Sequence, residues 1–128
     1  SKEIHEKIRG VEEEIWQELN IPYRVVNIAA GDLGAPAAKK YDIEYWSPHD
    51  QTYRELTSCS NCTDFQANTV NTRVRLADGT IESVHTLNGT AISMARTLVA
   101  LIENYAHEGG KMDVPTVLQP YMGGKTEI

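Results

Sequence analysis

The stretch from His85 to Tyr105 constrains the fold most, because it reads as a strand running directly into a helix. Ala91, Met94/Ala95, Leu98, Leu101/Ile102 and Tyr105 recur at the three-and-four spacing of one helical face, which predicts a long helix burying those residues. Asn88-Gly89 supplies a turn ahead of it, and Thr90 is placed to cap it with its hydroxyl. Arg96 falls one turn in, beside the apolar stripe, where its guanidinium can lie along the sheet-facing flank. Unpaired N–H groups at a helix start, together with a forked cation, suit a phosphate or carboxylate. The same residues also make an ordinary N-capped core helix with an arginine at its edge.

The preceding chain supplies what that helix packs on. Ile4, Ile8, Val11, Ile15 and Leu19 form a helical stripe with Glu3, Glu6, Lys7, Glu13, Glu14 and Gln17 on the other faces, predicting a surface helix. Asn20 can adopt the left-handed cap conformation and Pro22 blocks continuation, so this helix ends near Leu19 or Asn20. Arg24 to Ala29 reads as a short buried strand, followed by the turn formers Ala30 to Pro36. Tyr41 to Trp46 and Thr52 to Ser58, joined through Ser47 to Gln51, read as a hairpin. Thr63 to Ala67 has the makings of one or two helical turns. Asn71 to Leu76 and Ile81 to Leu87 flank Ala77-Asp78-Gly79-Thr80, a strong hairpin signal. Residues 109–128 read as an irregular tail over the surface. Without βαβ alternation, the order predicts the α+β class: an antiparallel β-sheet flanked by helices, in one domain over 1–128.

A net charge of −6 and a pI near 5.1 argue against a general nucleic-acid or membrane-surface binder, leaving only local RNA contact. No run approaches the ~20 apolar residues of a membrane span, and no secretory signal is present, so a reducing, cytoplasmic setting is expected. The start at Ser1 rather than Met leads us to expect trimming or a longer parent protein.

Candidate chemistry centres on Thr52 to Cys62. Regular alternation puts Tyr53, Glu55 and Thr57 on one face and Arg54, Leu56 and Ser58 on the other. Glu55, in a half-apolar strand, needs a cation or a metal as partner, and a cross-strand arginine such as Arg73 or Arg75 is the simplest one. Cys59 and Cys62 form a lone C-x-x-C that lacks both a thioredoxin-like βαβ setting and four metal ligands. His49 and His85 complete a Cys2His2 set only in principle, so two reduced thiols are expected. His5 and His107 read as solvated helix residues.

Taken together, these stretches resemble seryl-tRNA synthetase, a class II aminoacyl-tRNA synthetase. The resemblance runs from about Val11 to Gly124. It is carried by Leu19-Asn20-Ile21-Pro22-Tyr23-Arg24, Gly31-Asp32-Leu33-Gly34, Tyr41-Asp42-Ile43-Glu44, and the run from Tyr53 through Cys59-Ser60-Asn61-Cys62 to Ala67. Thr86-Leu87-Asn88-Gly89-Thr90-Ala91, Arg96-Thr97-Leu98-Val99-Ala100, Glu103-Asn104-Tyr105, Val114-Pro115 and Pro120-Tyr121-Met122-Gly123 complete it.

The resemblance implies the C-terminal portion of a catalytic domain that activates serine with ATP and esterifies it to tRNA(Ser), in a cytoplasmic, homodimeric parent with no membrane partner. It implies that Glu55 meets ATP and a divalent metal, Mg²⁺, that Leu56 and Thr57 continue the ATP-contacting segment, and that Ser58 gives a metal-contacting hydroxyl. Asn88 and Thr90 line the serine pocket, and Arg96 grips the nucleotide phosphates. Carboxylate and hydroxyl oxygens suit Mg²⁺, and a fixed guanidinium suits the charge that builds as pyrophosphate leaves. For Glu55 and Ser58 to reach one metal from an odd separation, a bulge or the strand's end is expected between Leu56 and Ser58. Asn68-Thr69 stand where the family usually has two arginines, and Gln119 where an arginine before Pro-Tyr-Met is common. The loss of both arginines after Ala67 favours one alternative, a noncatalytic truncated binding or regulatory module; a relative loading an amino acid onto a carrier other than tRNA is a second.

Overall fold

Alternation in Tyr41-Asp42-Ile43-Glu44-Tyr45 gives the central strand an apolar side and a charged side, and the rest of the molecule is built on that division. A computed structural model describes residues 1–128. Its main sheet has four antiparallel strands in the order β1 (Tyr23–Asn27), β2 (Lys39–Ser47), β3 (Thr52–Thr63) and β6 (Thr86–Gly89). A separate two-stranded hairpin, β4 (Arg73–Arg75) and β5 (Ile81–Ser83), turns through Asp78-Gly79 as expected. Helix α1 (Lys2–Glu18) and helix α3 (Met94–Tyr105) cover the apolar side, while α2 (Phe65–Thr69) follows β3 as a single short turn of helix.

The core joins Trp16 and Leu19 of α1, Ile21, Ile43 and Tyr45 of β2, Leu56 of β3, and Ala100 and Leu101 of α3. The Tyr105 hydroxyl ties α3 to the end of α1 by donating to the Leu19 carbonyl at 2.5 Å. Asn20 has φ of 52°, the left-handed cap that ends α1 ahead of Pro22.

Both long helices sit in a phase different from that read off the apolar spacing. On α1 the buried residues are His5, Glu12 and Trp16, whereas Ile4 and Val11 are exposed. On α3 they are Thr97, Ala100 and Leu101, whereas Met94, Leu98 and Ile102 are exposed. Each helix carries more apolar residues than this sheet covers, so residues facing the strands, small or polar ones included, are the buried ones. Ser93, not Thr90, stands at the N-cap position of α3, and Asn88-Gly89 belongs to β6 rather than to a turn. His5 is no solvated residue: it is buried, and its Nε2 donates to the Cys59 carbonyl at 3.1 Å. The tail is also more regular than expected, with a 3-10 helix at Thr116–Met122 and an antiparallel bridge between Asp113 and Glu127.

Candidate functional site

In an antiparallel ladder, residues directly opposite each other share a face, so the register of β2 on β3 decides where Glu55 and Ser58 project. The ladder pairs Glu44 with Glu55 but Ile43 with Thr57, so Leu56 is the extra residue of a bulge. Asp42 pairs with Ser58. Asp42 and Glu44 are two residues apart on one strand and share its charged side, so Glu55 and Ser58 share that side too. Regular alternation would have set them on opposite faces; the interruption expected between Leu56 and Ser58 falls at Leu56 itself. Leu56 and Thr57 turn their side chains into the buried interior, leaving their backbone as what a ligand on the charged side would meet.

Strand β6 extends this row. Ser60 pairs with Asn88, and the Thr90 N–H donates to the Ser58 carbonyl at 3.1 Å. Asn88 and Thr90, two residues apart, therefore project with Ser60 and Ser58. Asn88 also touches the far end of β3, its Nδ2 lying 3.7 Å from the Cys62 sulfur. Both cysteines are free and buried; desolvation, then the nearby Glu12 carboxyl, pushes the Cys59 thiol up to about 12. Those thiols are structural rather than reactive. No three His, Cys, Asp or Glu side chains converge on a metal-sized site, so the Cys2His2 arrangement is absent.

N-terminal to Ser58, β3 has no partner strand on the β6 side, and Arg96 reaches the Glu55 carboxylate there: Nη1 to Oε2 is 3.0 Å. The arginine is 52% exposed and the glutamate 35%. Glu55 thus pairs with the helix arginine and not with Arg73 or Arg75 of the small hairpin. A cleft of about 500 Å³ opens beside this pair, lined also by Tyr45, Asp50, Arg54 and Glu103. Arg54 is held by Asp50 at 2.8 Å, and the Tyr45 hydroxyl donates to Glu103 at 3.2 Å. Burial and the Glu103 carboxylate hold the Tyr45 phenol above its ordinary value, which keeps it a donor. Further along the charged side, Arg24 pairs with Glu44 at 2.6 Å and lies 3.8 Å over the Tyr53 ring.

The seven residues singled out from the sequence thus form one neighbourhood: Glu55, Ser58, Asn88 and Thr90 in a row, Arg96 on Glu55, and the Leu56-Thr57 backbone between. Ser60 was missed, although the alternation that leads on from Ser58 points to it. Arg54 and Glu103 stood in the sequence only as members of matching motifs, without a role, and Asp50 carried no signal, since only the hairpin turn and the helix bring the three together.

Comparison with known proteins gives the same picture. Residues 1–105 match the family model described as tRNA synthetase class II core domain (G, H, P, S and T). The serine–tRNA ligase of Dictyoglomus thermophilum is 57% identical over 123 residues, covering 96% of this chain and 29% of that protein. The serine–tRNA ligase of Bdellovibrio bacteriovorus is 50% identical over 128 residues, covering 100% of this chain and 30% of that protein. Among solved structures, seryl-tRNA synthetase from Pyrococcus horikoshii complexed with ATP aligns with a TM-score of 0.94 at 53% identity, covering 100% of this chain and 29% of that one. The cytoplasmic serine–tRNA ligase from Naegleria fowleri in complex with AMP aligns at 0.89 and 45%, covering 98% and 30%. These likenesses bear out the resemblance read from the motifs and the α+β class. The chain spans about 30% of the length of the relatives it matches.

Proposed function

The chain belongs to the class II tRNA synthetase core domain family, and from that premise we propose that it forms the part of a serine–tRNA ligase that holds ATP with Mg²⁺ and one wall of the serine pocket. The observation that carries this reading is the bulge at Leu56, which sets Glu55 and Ser58 on one side of the sheet beside Arg96. An acid and a base joined at 3.0 Å at the edge of an open cleft are what a metal–phosphate pair can replace. A phosphate takes the arginine as its forked donor, and a divalent cation takes the glutamate. Glu55 and Ser58 offer one carboxylate and one hydroxyl, few and hard donors. That set fits Mg²⁺, which keeps several waters and completes its shell with phosphate oxygens.

When bound, the ion supplies neutralisation of phosphate charge. Arg96 orients the phosphates and meets the negative charge that grows as pyrophosphate leaves, and its planar fork fixes their direction. Asn88 and Thr90 offer an amide and a hydroxyl for orienting serine, so that its carboxylate faces the α-phosphate. Transfer of the seryl group from the adenylate to a hydroxyl of tRNA(Ser), breaking the acyl–phosphate bond and releasing AMP, would complete the reaction. A homodimeric protein working in the cytosol accords with the resemblance, and free buried thiols accord with a reducing compartment.

The absence of arginine at Asn68 and Thr69 is the feature that favours a noncatalytic module, yet Asn68 has a use of its own. It donates to Asp64 Oδ2 at 2.8 Å and accepts from the Ser83 hydroxyl at 2.9 Å, tying α2 to the small hairpin. The ligase reading is tested by serine-dependent ATP–pyrophosphate exchange in the full-length protein and its Glu55→Gln variant. The expected result is exchange that requires serine and falls at least about a hundredfold in the variant, with the thermal midpoint unchanged. No exchange with any amino acid would favour the noncatalytic module, and exchange driven by a different amino acid would refute the choice of serine.

A further inference from the structure

Gly89 stands between Asn88 and Thr90 on the edge strand of the sheet, and it faces the opposite way from both. Its partner across the ladder is Cys59, which pairs on its other side with Tyr41, so the empty Cβ position of Gly89 points to the side covered by α1. A Cβ built there would lie 2.6 Å from Glu12 Oε1, 2.6 Å from Ile8 Cγ2 and 3.3 Å from Cys59 Cβ. The φ of this glycine is not in the positive region, so any residue could adopt its backbone; only the neighbours exclude a side chain. Those neighbours have little freedom to move. Glu12 is 1% exposed, with both carboxylate oxygens unpartnered, Cys59 is fully buried, and Ile8 is β-branched and stiff at χ1. In the sheet β6 pairs with β3 alone, and α1 pressing on the bare backbone of Gly89 supports it from the apolar side.

From this contact we infer that Gly89 is a positioning residue for the serine site, setting through its contact with Glu12 and Ile8 how Asn88 and Thr90 stand over the charged side of the sheet. The inference rests on the reading of Asn88 and Thr90 as serine contacts. A methyl at position 89 pushes β6 off the helix or the helix off the sheet. The displacement falls on the two flanking residues and on the Thr90 N–H to Ser58 carbonyl bond, and it leaves Glu55 and Arg96 on their own elements. Shortening Glu12 and Ile8 together makes room for the methyl, so the three positions compensate.

The experiment measures ATP–pyrophosphate exchange in the full-length protein, with KM for serine and KM for ATP determined separately, alongside thermal midpoints. Misplacement on the order of an ångström costs up to about a hundredfold, so Gly89→Ala is expected to raise KM for serine about tenfold, with KM for ATP within about twofold. Gly89→Ala combined with Glu12→Ala and Ile8→Ala is expected to bring KM for serine back to within about threefold of the starting protein. Asn88→Ala and Thr90→Ala serve as the reference for the serine site itself. If these raise KM for serine while Gly89→Ala does not, the positioning inference is overturned and the site stands; if they leave it unchanged, the site reading fails first. Should Gly89→Ala be insoluble, a folded Gly89→Ala/Glu12→Ala/Ile8→Ala protein with KM for serine restored supports the inference. A triple variant that is still insoluble, or that raises both KM values equally, overturns it.

Discussion

Glu12 gives the sharpest test of the packing. Its carboxyl is buried under α1 with no hydrogen-bond partner on either oxygen, and desolvation, followed by the charge of Asp42 on β2, raises its pKa from 4.5 to about 7. Other groups around it do not offset this: His5 on the same helix is engaged with the Cys59 carbonyl, Arg9 pairs with Glu6 and Glu13, and the Cys59 thiol stays neutral. Because the folded state holds this proton more tightly than the unfolded chain does, stability falls as pH rises from 4.5 through about 7 and is flat above. A rise of about 2.5 in pKa at about 1.4 kcal/mol for each makes the full penalty about 3.5 kcal/mol, most of it between pH 4.5 and about 7. Glu12→Gln keeps the shape and abolishes the titration. Urea unfolding at about pH 5 and about pH 8.5 should show the variant close to the starting protein at the lower pH and about 2–3 kcal/mol more stable at the higher one. Equal pH dependence in the two proteins would refute the reasoning and mean that Glu12 ionises without cost.

Three further outcomes follow from contacts described above. Arg96→Lys keeps the charge but loses the fork, so in the full-length protein exchange should drop roughly a hundredfold while the melting temperature holds; parallel loss of both would make Arg96 a packing residue. Residues 1–128 by themselves should exchange far below the ~1 s⁻¹ of a slow ordinary enzyme, and turnover near that rate would show this set of residues to be sufficient. Tyr105→Phe removes the donor to the Leu19 carbonyl and should cost about 1 kcal/mol in a denaturant titration; an unchanged midpoint would mean that water takes its place.

Much of this arrangement is legible in the sequence, for reasons that differ from residue to residue. Asp78-Gly79, Asn20 and Pro22 impose local backbone geometry, so the hairpin and the end of α1 fall where they were expected. The helix phases were misread because Ile4, Val11, Met94, Leu98 and Ile102 look like core by hydrophobicity alone. What actually faces the strands includes His5, Glu12 and Thr97, each buried against local chemistry that spacing does not reveal. Glu55 was identified as a carboxylate in need of a partner, yet its partner Arg96 lies 41 positions away on another element, beyond the reach of cross-strand reasoning. The bulge was expected only because Glu55 and Ser58 had to reach one metal; nothing in Leu56 itself announces it.

That extra residue makes strand length a matter of odd and even. Upstream of Leu56 the residues on the charged side are odd-numbered, Tyr53 and Glu55; downstream they are even-numbered, Ser58 and Ser60, with Asn88 across from them. Removing Leu56 would mend the ladder and leave Glu55 and Ser58 two residues apart, still on the charged side by plain alternation, at the loss of a core side chain; keeping Leu56 but drawing it into the ladder would instead turn both serines toward the helices. Insertions in the Ser47–Gln51 turn have no such effect. The spacing of acid and hydroxyl and the bulge therefore go together, three residues apart with it and two apart without it, and a member of this fold whose spacing and ladder disagree cannot assemble the acid, hydroxyl and amide row even when every residue type in it is present.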